Sequence, residues 1–460
     1  MTALPEKFVE RLSKELGNVE CRLLCEALDV TPQPVALRVN PFKAGGVRFA
    51  GEPVPWSRWG MFLDERPSFT ADPAFHAGCY YVQEAGSQFV GHILEYTGIG
   101  SGRILDMCAA PGGKTTLYSS IAGEHGLVVA NEPVKNRASV LADNVRKWGA
   151  GNTVVTCNYP AAFADCENMF DVVAVDAPCS GEGMFRKDER ARGEWSENAV
   201  YMCAARQSEI LNDAWKALKP NGVLLYSTCT FNRTENEGVL AKFAAEYADE
   251  IGEAEKVECR EEWGIVCGRE GAFQTFRFYP HRTRTEGFFA AVARKRGDSG
   301  AGVAKPRSGG RRTALTETGA AVGKELNRWF DNPGQMCYAS VGDDIYAYRR
   351  EHFGEVKTLT ERLNVIFSGV EAGRIFGGKL KPEHSLAMYF DLNRNAVPVA
   401  ELSPEESLKY LRKDVFDVSG LAEGMNLVTF NGCALGFAKR IGGRCNNLYP
   451  NSLRILKEII

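Results

Sequence analysis

Two cysteines stand where a strand-like stretch ends and a polar loop begins. One lies in Asp171–Gly183, D-V-V-A-V-D-A-P-C-S-G-E-G, where a β-branched run stops at Asp176 and Cys179 follows a proline. The other lies in Y-S-T-C-T, where Cys229 sits between two threonines after the apolar Gly222–Tyr226. A third such stretch, Arg103–Met107, runs into Cys108-Ala109-Ala110-Pro111-Gly112-Gly113-Lys114. Ligands of open α/β sheets bind just beyond the carboxyl ends of parallel strands, so all three loops are placed for chemistry. A lone cysteine there is commonly a packing residue. Two, with the Asp176 carboxylate beside one, point to a thiol nucleophile and a helper. The residues alone do not say which thiol acts first.

The glycine turn narrows the ligand. A phosphate-binding loop needs G-x-x-x-x-G-K-[ST], and Cys108 occupies the position of its first glycine. The dinucleotide fingerprint G-x-G-x-x-G is also absent. Small residues let backbone N–H groups approach a carboxylate, and Glu132, ending the second strand, has the placement of an acid that holds ribose hydroxyls. S-adenosylmethionine meets both demands, with an amino-acid end and a ribose. The plain alternative is a tight turn without a ligand.

These loops need a scaffold, and strand and helix signals alternate from Gly102 onward. Strands are expected at Arg103–Met107, Leu127–Ala130 and Thr153–Thr156, the last ending at Asn158; a fourth ends at Asp176 and a fifth at Thr228. Helices are expected at Thr115–Ala122, Val134–Trp148 and Ala199–Leu218, the last closed by Lys219–Gly222. That order predicts right-handed crossovers and a doubly wound, mostly parallel sheet. Gln274–Tyr279 and Gly287–Ala293 read as a closing antiparallel hairpin.

Upstream, Leu4, Phe8, Leu12 and Leu16 recur every fourth residue before Gly17, an amphipathic helix. Arg38 and Asn40 alternate with Leu37 and Val39 and are expected to face away from the core. Trp56, Trp59, Phe62, Phe69 and Phe75 lie among Arg58, Arg66 and Asp64; they either stack bases or, the favoured reading, fill a core. Arg186 and Lys187 either hold phosphates or form a solvated pair. Downstream, Arg294–Arg312 reads as a flexible basic linker, and Lys439, Arg440, Arg444, Arg454 and Lys457 cluster near the end.

The chain has 460 residues, more than one ordinary core, and a formal charge of −3, so any nucleic-acid contact must be a local patch. No apolar run nears the ~20 residues of a membrane span. The 14 cysteines include no C-x-x-C pair, which argues for reduced thiols in a cytoplasmic protein and against a metal site.

D-M-C-A-A-P-G-G-K-T-T, D-A-P-C-S-G-E-G, Y-S-T-C-T and P-H-R-T-R-T-E-G-F-F together resemble the Sun-type RNA (cytosine-5)-methyltransferases over roughly residues 1–295. R-V-N-P and Y-Y-V-Q-E-A-G-S fit the same family. L-G-F-A-K-R and Asn446–Pro450 more weakly resemble the C-terminal extension of its bacterial small-subunit methyltransferase F type. The resemblance implies a class I, Rossmann-like methyltransferase core at 76–296, a small α+β N-terminal domain of RNA-binding type at 1–75, a linker at 297–313 and a PUA-like α+β extension at 314–460. By it, Cys108, Ala109, Ala110, Pro111, Gly112, Gly113, Lys114 and Glu132 bind S-adenosylmethionine. Asp176 lies between donor and target base, Cys229 is the nucleophile, and Cys179 aids product release. The family has Asp at the end of the third strand where this chain has Asn158, an amide still able to accept from an adenine amino group. The expected substrate is 16S ribosomal RNA, free or in the small subunit, acted on by a monomer without a metal. A transfer RNA methyltransferase and a non-catalytic assembly factor on the same fold are the alternatives. Because the whole donor site lies upstream of Arg296, truncation there is expected to spare cofactor binding and weaken RNA engagement.

Overall fold

The structure is a computed structural model that describes residues 3–297, 315–417 and 419–456. Its centre is a ten-stranded sheet. The strands Arg103–Asp106, Leu127–Asn131, Thr153–Thr156, Phe170–Asp176 and Leu218–Thr228 are parallel to their neighbours within this set. They are β-branched runs without alternation because helices cover both faces, which is what a parallel sheet demands. The helices Gly113–Ala122, Lys135–Trp148 and Glu197–Ala217 supply the crossovers. Arg103–Asp106 sits between Leu127–Asn131 and Phe170–Asp176. The strand order reverses there, so a crevice opens at the carboxyl ends of those two strands. Phe273–Phe278 and Phe288–Lys295 close one side as an antiparallel hairpin.

Helix ends fall close to the expected places. Gly17, at φ +81°, stops the helix Glu6–Leu16, whose Phe8 and Leu12 are buried. The helix before the fifth strand ends at Ala217, and the Lys219–Gly222 segment expected to close it belongs instead to the strand Leu218–Thr228. Trp56, Phe62 and Phe69 are buried, and the Trp56 indole donates to the carbonyl of Ala85 at 2.8 Å, so this aromatic stretch is chiefly core.

Arg38 and Asn40 do not face outward; both are fully buried. The N-terminal strand Val35–Val39 is covered on both faces, so alternation no longer separates core from solvent. Arg38 crosses to the central sheet, where its guanidinium donates to the Gln83 side chain (2.8 Å), the Thr116 hydroxyl (2.6 Å) and the Gly113 carbonyl (3.1 Å), and lies over Trp148. A buried cation is tolerated only with such partners. Asn40 donates to the carbonyls of Gly78 and Trp148. The N-terminal part is therefore bolted to the turn at Gly112-Gly113.

The C-terminal part also joins the central sheet. Val365–Ser368 pairs antiparallel with Thr153–Thr156 and becomes its edge strand. Phe367 of that strand is buried beside Ala109, Ala130, Leu141 and Val155. The helix Arg350–Arg362 adds Val356 and Leu359 to the central core, and Glu355 pairs with Arg103 at 2.7 Å. Beyond it lie a five-stranded sheet and a four-stranded one, the latter from Val399–Glu401, Gly424–Phe430, Cys433–Ile441 and Arg444–Asn447. Of the basic cluster, Lys439, Arg444 and Arg454 are exposed, while Lys457 lies outside the described residues. Of the expected basic linker, 298–312 also lies outside them; Arg294 and Lys295 close the strand Phe288–Lys295. Among the described residues no helix is long and apolar enough to cross a membrane, and no three His, Cys, Asp or Glu side chains are grouped to hold a metal.

Candidate active site

The three loops meet at the crevice. Gly112, at φ +114°, has the left-handed backbone that only glycine adopts cheaply, and it turns the chain into the helix that begins at Gly113. The free N–H groups of that helix end face a cleft of about 170 Å³ lined by Tyr81, Gln83, Asp106, Cys108, Lys114 and Asp176, among others. One Asp106 oxygen accepts from Thr115 at 2.7 Å; the other is buried without a partner, as is the amide nitrogen of Gln83. Burial, with Asp176 nearby, pushes the Asp106 carboxyl up to about 7 against the Thr115 bond. An unmet acceptor and an unmet donor beside a helix N-terminus are what the ammonium and carboxylate of an amino acid would satisfy.

Glu132 follows the second strand and is buried. Its carboxylate accepts from the Val134 backbone at 3.0 Å and pairs with Arg137 at 3.3 Å. Asn158 is placed differently from its expected role. Its side-chain oxygen accepts from the Asn364 backbone (3.0 Å), and its nitrogen donates to the Asn364 carbonyl (3.3 Å). The amide is engaged by the strand from the C-terminal part.

Past Asp176, which lines the cleft, the two thiols touch, with Cys179 Sγ and Cys229 Sγ 3.2 Å apart. Asp176 accepts from the Ser227 hydroxyl at 2.8 Å and forms an ion pair with Lys114 at 2.8 Å. Burial opposes the charge on Lys114, but the Asp176 carboxylate more than compensates, and its pKa is raised. The thiols are unequal. The Cys179 thiol donates to Cys229 and holds it below its ordinary value; burial and Asp176 work against this, and Lys114 assists. Cys179 is pushed well up by the same contact, by burial and by the Glu235 carboxylate. Carboxylates oppose both thiols, Asp176 and Glu235 at Cys229 and Glu235 at Cys179; it is the donation from Cys179, with Lys114 assisting, that makes Cys229 the more readily ionised thiol.

Glu235 was not legible as part of this site. Fully buried, it accepts from the Ser180 backbone (2.8 Å), the Ser180 hydroxyl and Gln207 (3.1 Å). Gln207 also donates to the Pro178 carbonyl at 2.9 Å, so the Cys179 loop is gripped on both sides. Burial raises Glu235 to about 7 against these donors. On the Cys229 side, Gly183 donates to the Cys229 carbonyl at 2.8 Å, and a Cβ on Gly183 would lie 2.4 Å from the Gly287 carbonyl oxygen. Only glycine permits that approach. Arg186 is neither a phosphate holder nor solvated: it is buried against Glu286 (2.9 Å) and the Thr285 carbonyl (2.7 Å).

Sheet order, glycine turn and crevice define a class I, S-adenosylmethionine-dependent methyltransferase, and the groups left unsatisfied in the cleft fit that cofactor. The family described as 16S rRNA methyltransferase RsmB/F matches residues 99–294. The N-terminal domain of 16S rRNA methyltransferase RsmF matches 4–85, and the methyltransferase RsmF PUA domain matches 397–455. Ribosomal RNA small subunit methyltransferase F of Salmonella heidelberg is 32% identical over 424 residues, covering 87% of this chain and 84% of the relative. The same-named protein of Erwinia tasmaniensis is 29% identical, covering 98% and 96%. A methyltransferase homolog from Pyrococcus horikoshii superposes with a TM-score of 0.52 at 26% identity, covering 63% of this chain and 95% of that one. The chain belongs to the ribosomal RNA small subunit methyltransferase F family.

Proposed function

We propose that the protein transfers a methyl group from S-adenosylmethionine to carbon 5 of a cytosine in 16S ribosomal RNA, through a covalent bond between Cys229 and carbon 6. The observation that carries this is the pair of touching thiols, one favoured as a thiolate and near the Lys114–Asp176 pair that lines the cofactor cleft. S-adenosylmethionine, when bound, supplies an electrophilic methyl group. Carbon 5 of cytosine is too weak a nucleophile to take it unaided. The Cys229 thiolate adds to carbon 6 and makes carbon 5 electron-rich. A proton reaches ring nitrogen N3 from the Lys114 ammonium by way of the Asp176 carboxylate that it pairs with. After methylation carbon 5 carries a methyl and a hydrogen. Once Cys229 is bonded to carbon 6 and no longer a thiolate beside it, the Cys179 thiol gives up its own proton to solvent, and the resulting thiolate takes the carbon 5 hydrogen as a proton; the carbon 5–carbon 6 double bond re-forms, N3 returns its proton by way of Asp176, and Cys229 leaves as thiolate. The base must be turned out of any helix to expose its face.

In this proposal Cys108–Lys114 and Glu132 hold the cofactor, with Asp106 and Gln83 added at its amino-acid end. Asn158 supports that site by docking the Asn364 strand rather than by reaching adenine. The N-terminal and C-terminal parts engage RNA, and the protein acts as a monomer in the cytoplasm. Two thiols poised in this way favour an enzyme over a non-catalytic assembly factor.

The test is incubation with labelled S-adenosylmethionine and separate 16S, large-subunit and transfer RNA, followed by bisulfite mapping. The expected result is label in 16S RNA at a bisulfite-resistant cytosine. Label at any other atom, or in transfer RNA alone, sinks the proposal. For the cofactor, Glu132→Ala is expected to weaken S-adenosylmethionine binding by about tenfold to a hundredfold, since hydrogen bonds to a charged acceptor contribute about 1.5–3 kcal/mol. Calorimetry on the folded variant measures it, and unchanged affinity removes Glu132 from the site.

A further inference from the structure

A second cleft, of about 460 Å³, lies on the seam between the N-terminal sheet and the methyltransferase sheet. It shares Tyr81 and Val82 with the cofactor cleft, so the two adjoin. Its walls carry Phe69, Phe75 and Tyr81 as ring surfaces and Arg66, Asn144 and Lys147 as polar groups. Asn144 also donates to the Pro111 carbonyl at 2.8 Å, which ties this wall to the cofactor turn.

Lys147 is the unusual member. Its ammonium lies 3.9 Å from the centre of the Phe75 ring, and among the described residues it has neither a hydrogen-bond acceptor nor an ion-pair partner. Burial lowers its pKa to about 8, with Asp143 opposing; the Asp143 carboxylate is itself paired with Arg146 at 3.0 Å. Arg66, exposed over Phe69, has no carboxylate partner among the described residues either. A partly desolvated cation left without an anion is costly unless something brings one. A half-buried Lys147 and an exposed Arg66 beside the half-buried rings of Phe75 and Tyr81 are the arrangement that takes an unpaired nucleotide, phosphate on the cations and base on a ring. The net charge of −3 gives no general attraction for RNA, so a local cation pair must supply it.

We propose that this seam cleft is a subsite for a nucleotide of the substrate RNA next to the target cytosine, with Lys147 and Arg66 on its phosphate and Phe75 or Tyr81 under its base. The inference rests on the RNA reading above and deepens it. The subsite fixes the strand on the cofactor turn while the target base is turned toward Cys229. It also explains why Arg38 locks the N-terminal sheet to Gly113: the subsite is half built from each part.

The test is a salt titration of binding to 16S RNA and to a short cytidine-containing single-stranded RNA, for the full chain and for Lys147→Met and Arg66→Ala. Each variant is expected to bind about fivefold to tenfold more weakly at low salt, and the slope of log K against log salt to fall by about 0.7 per lost phosphate contact. S-adenosylmethionine affinity should stay at the parent value. Arg66 is exposed, so its replacement carries the test even if Lys147→Met folds poorly. Parent affinity and slope in a folded Lys147→Met or in Arg66→Ala overturn the subsite. A covalent trap in Cys179→Ser tells the two ideas apart. If that adduct forms while both variants bind like the parent, the catalytic reading stands and the subsite falls. If it does not form but both slopes fall, the subsite stands without it.

Discussion

Cys179→Ser is expected to become attached to its RNA, and Cys229→Ser to form no adduct and transfer no methyl group. A serine hydroxyl is barely ionised near neutral pH, so Cys229→Ser cannot make the carbon 6 bond at a useful rate. Cys179→Ser keeps a hydroxyl donor 3.2 Å or so from Cys229, where the thiol now sits, so Cys229 is still activated and still attacks. What it lacks is the group that takes the carbon 5 proton, and general base help is typically worth ~10²–10⁴-fold in rate. Turnover should fall by about that factor while the adduct accumulates. Denaturing gel electrophoresis after incubation with RNA and cofactor reads both lanes, and a slow-migrating band for Cys229→Ser alone would reverse the roles. Cys179→Ala adds a pH signature. Donation from Cys179 is the leading cause that holds the Cys229 pKa below its ordinary value. Removing the donor lets that pKa rise, so the pH profile for adduct formation should move to higher pH in Cys179→Ala than in Cys179→Ser. Superimposable profiles would mean the thiol contact does not activate Cys229.

What could be read before the structure was local. Strand ends, the Gly112-Gly113 turn and both cysteine loops are marked by β-branched runs broken by proline and glycine, signals that act over a few residues. The doubly wound, mostly parallel character of the sheet follows from the alternation of strand and helix. What could not be read depended on partners distant in the chain. Arg38 obeys period-two alternation and is nonetheless buried, because Gln83, Thr116 and Trp148 cover the face that alternation assigns to solvent. Glu235 is an unremarked acid a few residues past Cys229 until folding brings Ser180 and Gln207 to it. Asn158 was correctly placed at a strand end, but the direction of its amide is set by Asn364. Sequence leaves Arg186 either a phosphate holder or a solvated charge, and neither holds because the Glu286 opposite it lies in another loop.

Truncation after Arg296 is expected to unfold or aggregate the protein, against the expectation from sequence that the donor site would survive. The sequence boundary is real as a change in composition, but the packing crosses it. Removing the C-terminal part uncovers the edge of Thr153–Thr156 along its whole length, and an exposed apolar edge strand pairs with other chains. It also strips Phe367, Val356, Leu359, Leu363 and Tyr348 from two cores. At about 1.5–3 kcal/mol for each fully buried side chain, that loss rivals the whole ~5–15 kcal/mol stability of a folded protein. Arg349–Glu124 and Arg103–Glu355 go with it, and Glu124 and Arg103 flank the helix and the strand that carry the glycine turn. Asn158 loses both bonds to Asn364, and the loop beside Glu132 loses its support. Thermal denaturation, light scattering and calorimetry with S-adenosylmethionine on the 1–296 fragment measure the outcome. The expected result is a melting transition lowered by tens of degrees or absent, with S-adenosylmethionine affinity reduced at least tenfold in any soluble fraction. A fragment that melts like the full chain and binds the cofactor with parent affinity would show that the edge strand is an ornament on an independent core.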